Sequence, residues 1–250
     1  MTDNDPDYSI VIPAYNEADC LPVTLAHLAK AMESSDLNGE LIVVDNNSDD
    51  NTQTCAADAG AIVVHEPINQ ISRARNTGAG IARGKYLIFL DADTLLDREL
   101  LQRALSNLTS NKHIGGGALV AGDRLPPAAA QRAMNGWNWL SQRFGLAAGC
   151  FIYCRADAFR SVGGFSERVY ASEEIWFSRA LKAEAERRHL RFTIIEEPMI
   201  RTSLRKLDWY SSRQLCWYTL VVFFPFALRS RTLCAFWYRR PALKRIRPDD

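Results

Sequence analysis

Net charge is almost absent from this chain, where 30 Lys and Arg stand against 29 Asp and Glu for a formal balance of +1. No global field draws it to nucleic acid, and no nucleic-acid partner is expected. Metal-type cysteine spacing is missing too. Cys20, Cys55, Cys150, Cys154, Cys216 and Cys234 include one Cys-x-x-x-Cys with no second pair nearby, and the four histidines are dispersed. That argues against structural zinc and for reduced thiols, buried in the case of Cys150 and Cys154. His65 and His113 lack a partner at a diagnostic spacing and read as structural. The start, Met1-Thr2-Asp3-Asn4-Asp5-Pro6-Asp7, has neither the basic nor the apolar part of a signal peptide, so a cytoplasmic location is expected. Also lacking is an apolar run of the roughly 20 residues that span a bilayer. The stretch from Leu215 to Leu228 falls short and holds Pro225, and from Arg229 to Arg247 the chain is basic without an acid. Aromatics beside such a cluster suit a membrane interface. The tail is therefore expected to dock peripherally at the inner membrane face, with an apolar cover for the sheet or an oligomer contact as the alternative.

What the chain does have is an alternation of apolar runs with polar loops. At 47% hydrophobic over 250 residues it can bury a core as one large domain, or a domain plus an appendage. The organising stretch is Lys85-Tyr86-Leu87-Ile88-Phe89-Leu90-Asp91-Ala92-Asp93-Thr94. Its apolar run reads as a strand buried on both faces, the kind found in parallel sheets covered by helices. Two carboxylates end it, at the sheet edge where ligands of open α/β folds bind. Residues i and i+2 of a strand share a face, and two hard oxygen ligands there suit Mg²⁺ or Mn²⁺ beside a phosphate-bearing substrate. Taken alone, the tripeptide also reads as a solvated loop.

Tyr8 to Pro13 is a first strand, followed by the loop Ala14-Tyr15-Asn16-Glu17. A helix follows, with Pro22 in its first turn and Leu21, Leu25, Leu28 and Met32 at helical spacing. Glu40 to Val44 is a second strand ending in Asp45-Asn46-Asn47-Ser48-Asp49-Asp50. Further helices are expected over 52–59, 71–82, 97–108 and 128–144, with strands over 61–65, 115–120 and 149–154. The turn Gly163-Gly164-Phe165 then leads to a helix capped by Ser172 and opened by Glu173-Glu174, and Arg191 to Glu196 is a last strand. Strands alternating with helices argue for right-handed βαβ units and a mostly parallel sheet. Gly78-Ala79-Gly80-Ile81-Ala82-Arg83-Gly84 imitates a dinucleotide fingerprint, but here a helix precedes and a strand follows, which is the reverse of what the fingerprint requires. Those glycines read as helix packing and a helix stop.

Four elements in order resemble the family 2 inverting glycosyltransferases of the GT-A fold. They are Ser9-Ile10-Val11-Ile12-Pro13-Ala14-Tyr15-Asn16-Glu17, Val43-Val44-Asp45-Asn46-Asn47-Ser48-Asp49-Asp50, Ala74-Arg75-Asn76-x-Gly78 and Phe89-Leu90-Asp91-Ala92-Asp93. The resemblance covers roughly residues 8–180. It implies a Rossmann-like α/β domain over 1–200, with a nucleotide half at 8–95 and an acceptor half at 96–200, then an apolar and basic tail over 201–250. It also implies a nucleotide-diphosphate sugar donor, a divalent Mg or Mn ion and a glycan or lipid-linked acceptor hydroxyl. By position, Pro13, Tyr15 and Glu17 would line the nucleotide pocket and Asp45 would accept hydrogen bonds from the base. Arg75, rather than Arg73, would face the nucleotide or the Asp-x-Asp. Asp91 would contact the ribose or the metal, and Asp93 the metal.

The chemistry agrees with that assignment. A departing nucleoside diphosphate concentrates negative charge that a cation stabilises, and an acceptor hydroxyl needs a carboxylate to take its proton. The family's base belongs to a Glu-Asp pair after a Gly-Gly-Phe turn. Here Glu174 falls where the family has Asp, so Glu174 is the expected base and Glu173 the alternative. Acids in a first helical turn also merely complement its dipole. Two other readings are a transferase loading sugar onto polyprenyl phosphate and a non-catalytic sugar-nucleotide-binding protein.

Overall fold

A computed structural model describes residues 5–209, 227–234 and 238. Its strands are β1 (Tyr8–Ala14), β2 (Gly39–Asp45), β3 (Ile62–His65), β4 (Tyr86–Leu90), β5 (Thr94–Leu95), β6 (His113–Gly122), β7 (Phe151–Arg155) and β8 (Arg191–Thr202). They form one sheet in the order β3-β2-β1-β4-β7-β6-β8-β5. The half built from β1 to β4 is parallel throughout. Beyond β4 the sheet is mixed, with β7 antiparallel to both neighbours and β6 parallel to β8.

Helices cover both faces: α1 (Leu21–Glu33), α2 (Thr52–Asp58), α3 (Ile71–Ile81), α4 (Arg98–Thr109), α5 (Ala128–Phe144), α6 (Ala156–Val162), α7 (Glu173–Arg187) and the single turn α8 (Lys206–Trp209). Strand alternation divides the core into two layers. Ile10, Ile12, Ile88 and Leu90 pack with Leu21, Leu25 and Leu28 of α1 and with Leu101, Leu105 and Leu108 of α4. Val11, Val44, Leu87 and Phe89 face the other way, toward Ala74 and Ala79 of α3 and Phe177 and Leu181 of α7. That double burial is why the apolar runs of β1 and β4 show no polar alternation.

Two sequence expectations are corrected. Ser172 stands at the N-cap of α7 in the left-handed region (φ 62°) and makes no side-chain cap; its carbonyl accepts the Ile175 N–H instead. The last strand does not stop at Glu196. Pairing slips between Ala118 and Val120 of β6, so that Ile195 and Ile200 bracket a bulge holding Pro198, and β8 resumes to Thr202. A bulge is where a strand tolerates proline.

Most of the apolar run from Leu215 lies outside the described residues. Of the tail that is described, Leu228 and Cys234 pack against Val169 and Ala171, and Tyr238 donates its hydroxyl to the Tyr170 carbonyl at 2.8 Å. Among the described residues no helix is long and apolar enough to cross a membrane.

Candidate active site

β1, β2 and β4 run parallel, so the loops that follow Ala14, Asp45 and Leu90 emerge on one edge. The first two are laced together. The Asn16 N–H donates to Ser48 Oγ at 3.0 Å, the Asp49 N–H to Asn16 Oδ1 at 2.9 Å and the Glu17 N–H to Thr52 Oγ1 at 2.8 Å. Asp45 lies fully buried beneath them. Gln53 Nε2 donates to its Oδ2 at 2.7 Å, His65 Nδ1 lies 3.0 Å from the same oxygen, and the Ser48 N–H reaches Oδ1. Burial by itself would raise this carboxyl, and the hydrogen bonds from Ser48, Gln53 and His65 outweigh it, holding Asp45 below the usual carboxylate range. Pro13 and Tyr15 are half-buried on the same edge.

The Asp-x-Asp turn is pinned through its backbone. Its contacts run from the Asp91 N–H to the Cys150 carbonyl (3.2 Å), from Thr24 Oγ1 to the Ala92 carbonyl (2.8 Å) and from the Ser203 N–H to the Asp93 carbonyl (3.1 Å). Two arginines hold the side chains. Arg75, on α3 and only 1% exposed, sends Nη2 to Asp91 Oδ1 (3.0 Å) and the Gly149 carbonyl (2.7 Å), and Nη1 to Glu173 Oε1 (2.7 Å). Burial would lower its pKa, but Asp91, Glu173 and Glu174 raise it, so the guanidinium stays charged. Arg205, just after β8, reaches both Glu17 oxygens (2.7 and 2.6 Å) and Asp93 Oδ2 (3.0 Å) with one nitrogen. Arg73 instead pairs with the half-exposed Glu167.

The Ala-Arg-Asn element explains how α7 is placed. Ala74 packs in the second core layer, and Asn76 grips both backbone groups of Phe165, accepting its N–H at 2.9 Å and donating to its carbonyl at 3.0 Å. Gly163 and Gly164 have φ of 80° and 70°, the left-handed region that glycine adopts without strain. The turn drives Phe165 against Phe89 of β4 (centroids 4.9 Å apart) and Phe177 of α7 (4.2 Å). The helix start is thereby fixed to the strand that carries the aspartates.

At that start the two glutamates differ. Glu173 is buried and locked by Arg75. Glu174 is partly open and lies beside Gly149, where an added Cβ would sit 3.7 Å from its carboxyl carbon. Burial, then the neighbouring Glu173, pushes the Glu174 carboxyl up to about 8.

Arg205, Gln53 and His65 were invisible to motif reading. Arg205 belongs to no motif and lies beyond the expected domain limit, and Gln53 and His65 gain their meaning only from Asp45. Among the described residues no three His, Cys, Asp or Glu side chains converge to hold a metal. The donor set still suits Mg²⁺ or Mn²⁺, because such ions are commonly held by one or two carboxylates and completed by substrate phosphate and water. Asp93 already binds a cation, the Arg205 guanidinium.

A half-parallel, half-mixed sheet with an Asp-x-Asp turn at its central edge and a carboxylate-bearing helix beside it defines a GT-A glycosyltransferase fold. Residues 9–163 match the model for glycosyl transferase family 2, and the chain belongs to that family. An uncharacterized glycosyltransferase of Mycobacterium bovis is 32% identical over 134 residues, covering 54% of each chain. The chain spans about half the length of such curated relatives. Among solved structures, a mannosyltransferase from Pyrobaculum calidifontis in complex with GDP-Man and Mn²⁺ superposes with a TM-score of 0.65 at 21% identity, over 90% of this chain and 65% of that one. Staphylococcus aureus TarS in complex with UDP-GlcNAc gives 0.64 at 17% identity, over 88% and 66%.

Proposed function

We propose that this protein transfers a sugar from a nucleoside-diphosphate sugar to an acceptor hydroxyl in one step, with inversion at the anomeric carbon. The observation that carries the reading is the single buried guanidinium of Arg75, which joins Asp91 at the donor edge to Glu173 at the start of α7. It brings the place for a leaving diphosphate and the place for a proton acceptor within one side chain's reach. A divalent ion, when held by Asp91 and Asp93, would supply positive charge to the departing diphosphate. Glu174 is the base. Its raised pKa matches a proton acceptor working near neutrality, and its partial exposure leaves it accessible to an acceptor. Glu173, bound to Arg75, is a positioning residue that holds the helix start and keeps negative charge beside Glu174. Asp45 and the laced loops of Asn16 and Ser48 form the nucleoside end, and Pro13 and Tyr15 its wall. GDP-Man and UDP-GlcNAc in the two fold neighbours support a sugar nucleotide as donor class without selecting its base.

The test is Glu174→Gln, assayed for donor binding by thermal shift with UDP-, GDP- and dTDP-sugars plus Mn²⁺, and for transfer to hydroxyl acceptors with product stereochemistry read by NMR. Retained donor binding with lost transfer supports the reading. Near-full activity on a polyprenyl phosphate, whose acceptor oxygen is already ionised, would favour that alternative acceptor. Donor binding without any wild-type turnover would favour a sugar-nucleotide-binding protein.

A further inference from the structure

We propose that Tyr238 is a positioning residue for transfer, whose hydroxyl ties the start of α3, the helix that carries Arg75, to the segment that enters α7, the helix that carries Glu173 and Glu174. The proposal rests on the base reading above. Both backbone groups of Tyr170, which shortly precedes Glu173, are held by residues of the C-terminal tail. Its N–H donates to the Leu228 carbonyl at 2.6 Å, and its carbonyl accepts the Tyr238 hydroxyl at 2.8 Å. The same Tyr238 oxygen accepts the Ile71 N–H over a longer 3.4 Å. That N–H belongs to the first turn of α3, where a helix offers its own donors no partner, and Arg75 follows one turn later. One hydroxyl thus meets both of the elements that Arg75 and Glu173 join at 2.7 Å.

The surroundings hold that hydroxyl in place. The Tyr238 ring packs edge-to-face on Tyr170, with centroids 5.8 Å apart at 80°, and the Arg231 guanidinium carbon lies 6.0 Å from its centre. Leu228 and Cys234 are buried against Val169 and Ala171, so the tail closes a small core under the segment entering α7. Burial, then the nearby Glu173 charge, raises the Tyr238 hydroxyl well above its ordinary range, and it stays protonated as a donor. Gln70, which precedes α3, sends Nε2 to the Glu167 and Val169 carbonyls at 2.8 and 2.9 Å. The start of α3 and the approach to α7 are therefore joined by two side chains, and Tyr238 holds the residue nearer the glutamates. Placement matters there, because a shift of about 1 Å at a reacting group can cost about 10²-fold in rate.

The experiment compares wild type, Tyr238→Phe and Glu174→Gln as full chains. Phe keeps the ring contacts and removes only the hydroxyl. Hydrogen exchange, read by mass spectrometry on peptides covering residues 68–76 and 167–175, should be about fivefold faster in Tyr238→Phe than in wild type in both segments, with Tm little changed. Nucleotide release from UDP-GlcNAc and GDP-Man with Mn²⁺ should show kcat about tenfold lower and donor KM unchanged, a split that a general loss of stability would not produce. Exchange that is unchanged in either segment overturns the proposal, whatever the turnover. So does a wild-type kcat in Tyr238→Phe when Glu174→Gln has lost turnover. If Glu174→Gln keeps full turnover, or wild type releases nucleotide from neither donor, the base or donor reading has failed instead, and exchange alone then decides for or against the tie between α3 and α7.

Discussion

Replacing Glu174 by Gln should remove activity and add stability, two effects of opposite sign from one carboxyl. Burial, then the neighbouring Glu173, pushes the Glu174 carboxyl from the ordinary 4.5 up to about 8. At about 1.4 kcal/mol per unit, the ceiling on the cost of ionising Glu174 in the folded protein is about 5 kcal/mol. The native state holds this proton more tightly than the unfolded chain, so the stability it contributes is complete below pH 4.5 and is lost as pH rises toward 8. Gln mimics the protonated acid and carries no such loss. The variant should match wild type in Tm near pH 5 and exceed it increasingly up to pH 9. A gain of only about 2 kcal/mol there would raise Tm by about 4–8 °C for a chain of this size. Differential scanning fluorimetry over pH 5–9 checks the trend, alongside transfer assays on the same preparations. Wild-type kcat/KM should fall as pH drops through the Glu174 pKa, because the base works only when deprotonated. A Tm difference that is flat with pH, or that grows toward low pH, would refute the electrostatic argument. Full activity in the variant would refute the assignment of the base.

Asp93→Asn should lower kcat by about 10²–10³-fold and abolish the Mn²⁺ dependence of donor binding, as measured by calorimetry with and without the ion. Asn76→Ala strips hydrogen-bond partners from both backbone groups of Phe165. It should cost about 1–3 kcal/mol in urea unfolding and slow transfer by loosening the start of α7; an unchanged urea midpoint would count against the role given to Asn76. Gly78→Ala would place a methyl 2.4 Å from Val11 Cγ1 and 2.8 Å from Val44 Cγ2. Overpacking there should destabilise the domain by about 1–3 kcal/mol, and a variant as stable as wild type would show that α3 and the sheet have slack the packing does not suggest.

The parallel half of the sheet was legible in the sequence because its determinants are local. Apolar runs such as Tyr86 to Leu90 read as strands from their short length and the glycine and acids that bound them, and the polar residues that stop them emerge at the edge where those strands end. The Gly-Gly-Phe turn and the glycine spacing of α3 are also local, set by backbone freedom and close approach. The sequence likewise placed Glu173 and Glu174 side by side at a helix start, and ranked Glu174 first only through its place in the family's pattern. What sets them apart is a tertiary contact, since Arg75 pairs with the buried Glu173 and not with the more exposed Glu174. The last strand runs on past Glu196 because a bulge in β8 between Ile195 and Ile200 takes Pro198 out of the ladder, and that bulge exists only once β8 is paired with β6. Arg205 was silent for the same reason. No spacing along the chain relates residue 205 to residues 17 and 93, and their meeting exists only once β8 has crossed the sheet to lie beside β6 and its following loop has turned back over the edge. The sequence by itself determined which elements form and which chemical groups they deliver to the edge. The tertiary structure decided which charges face one another, because electrostatic energy depends on distance and burial, and neither is a property of position in the chain.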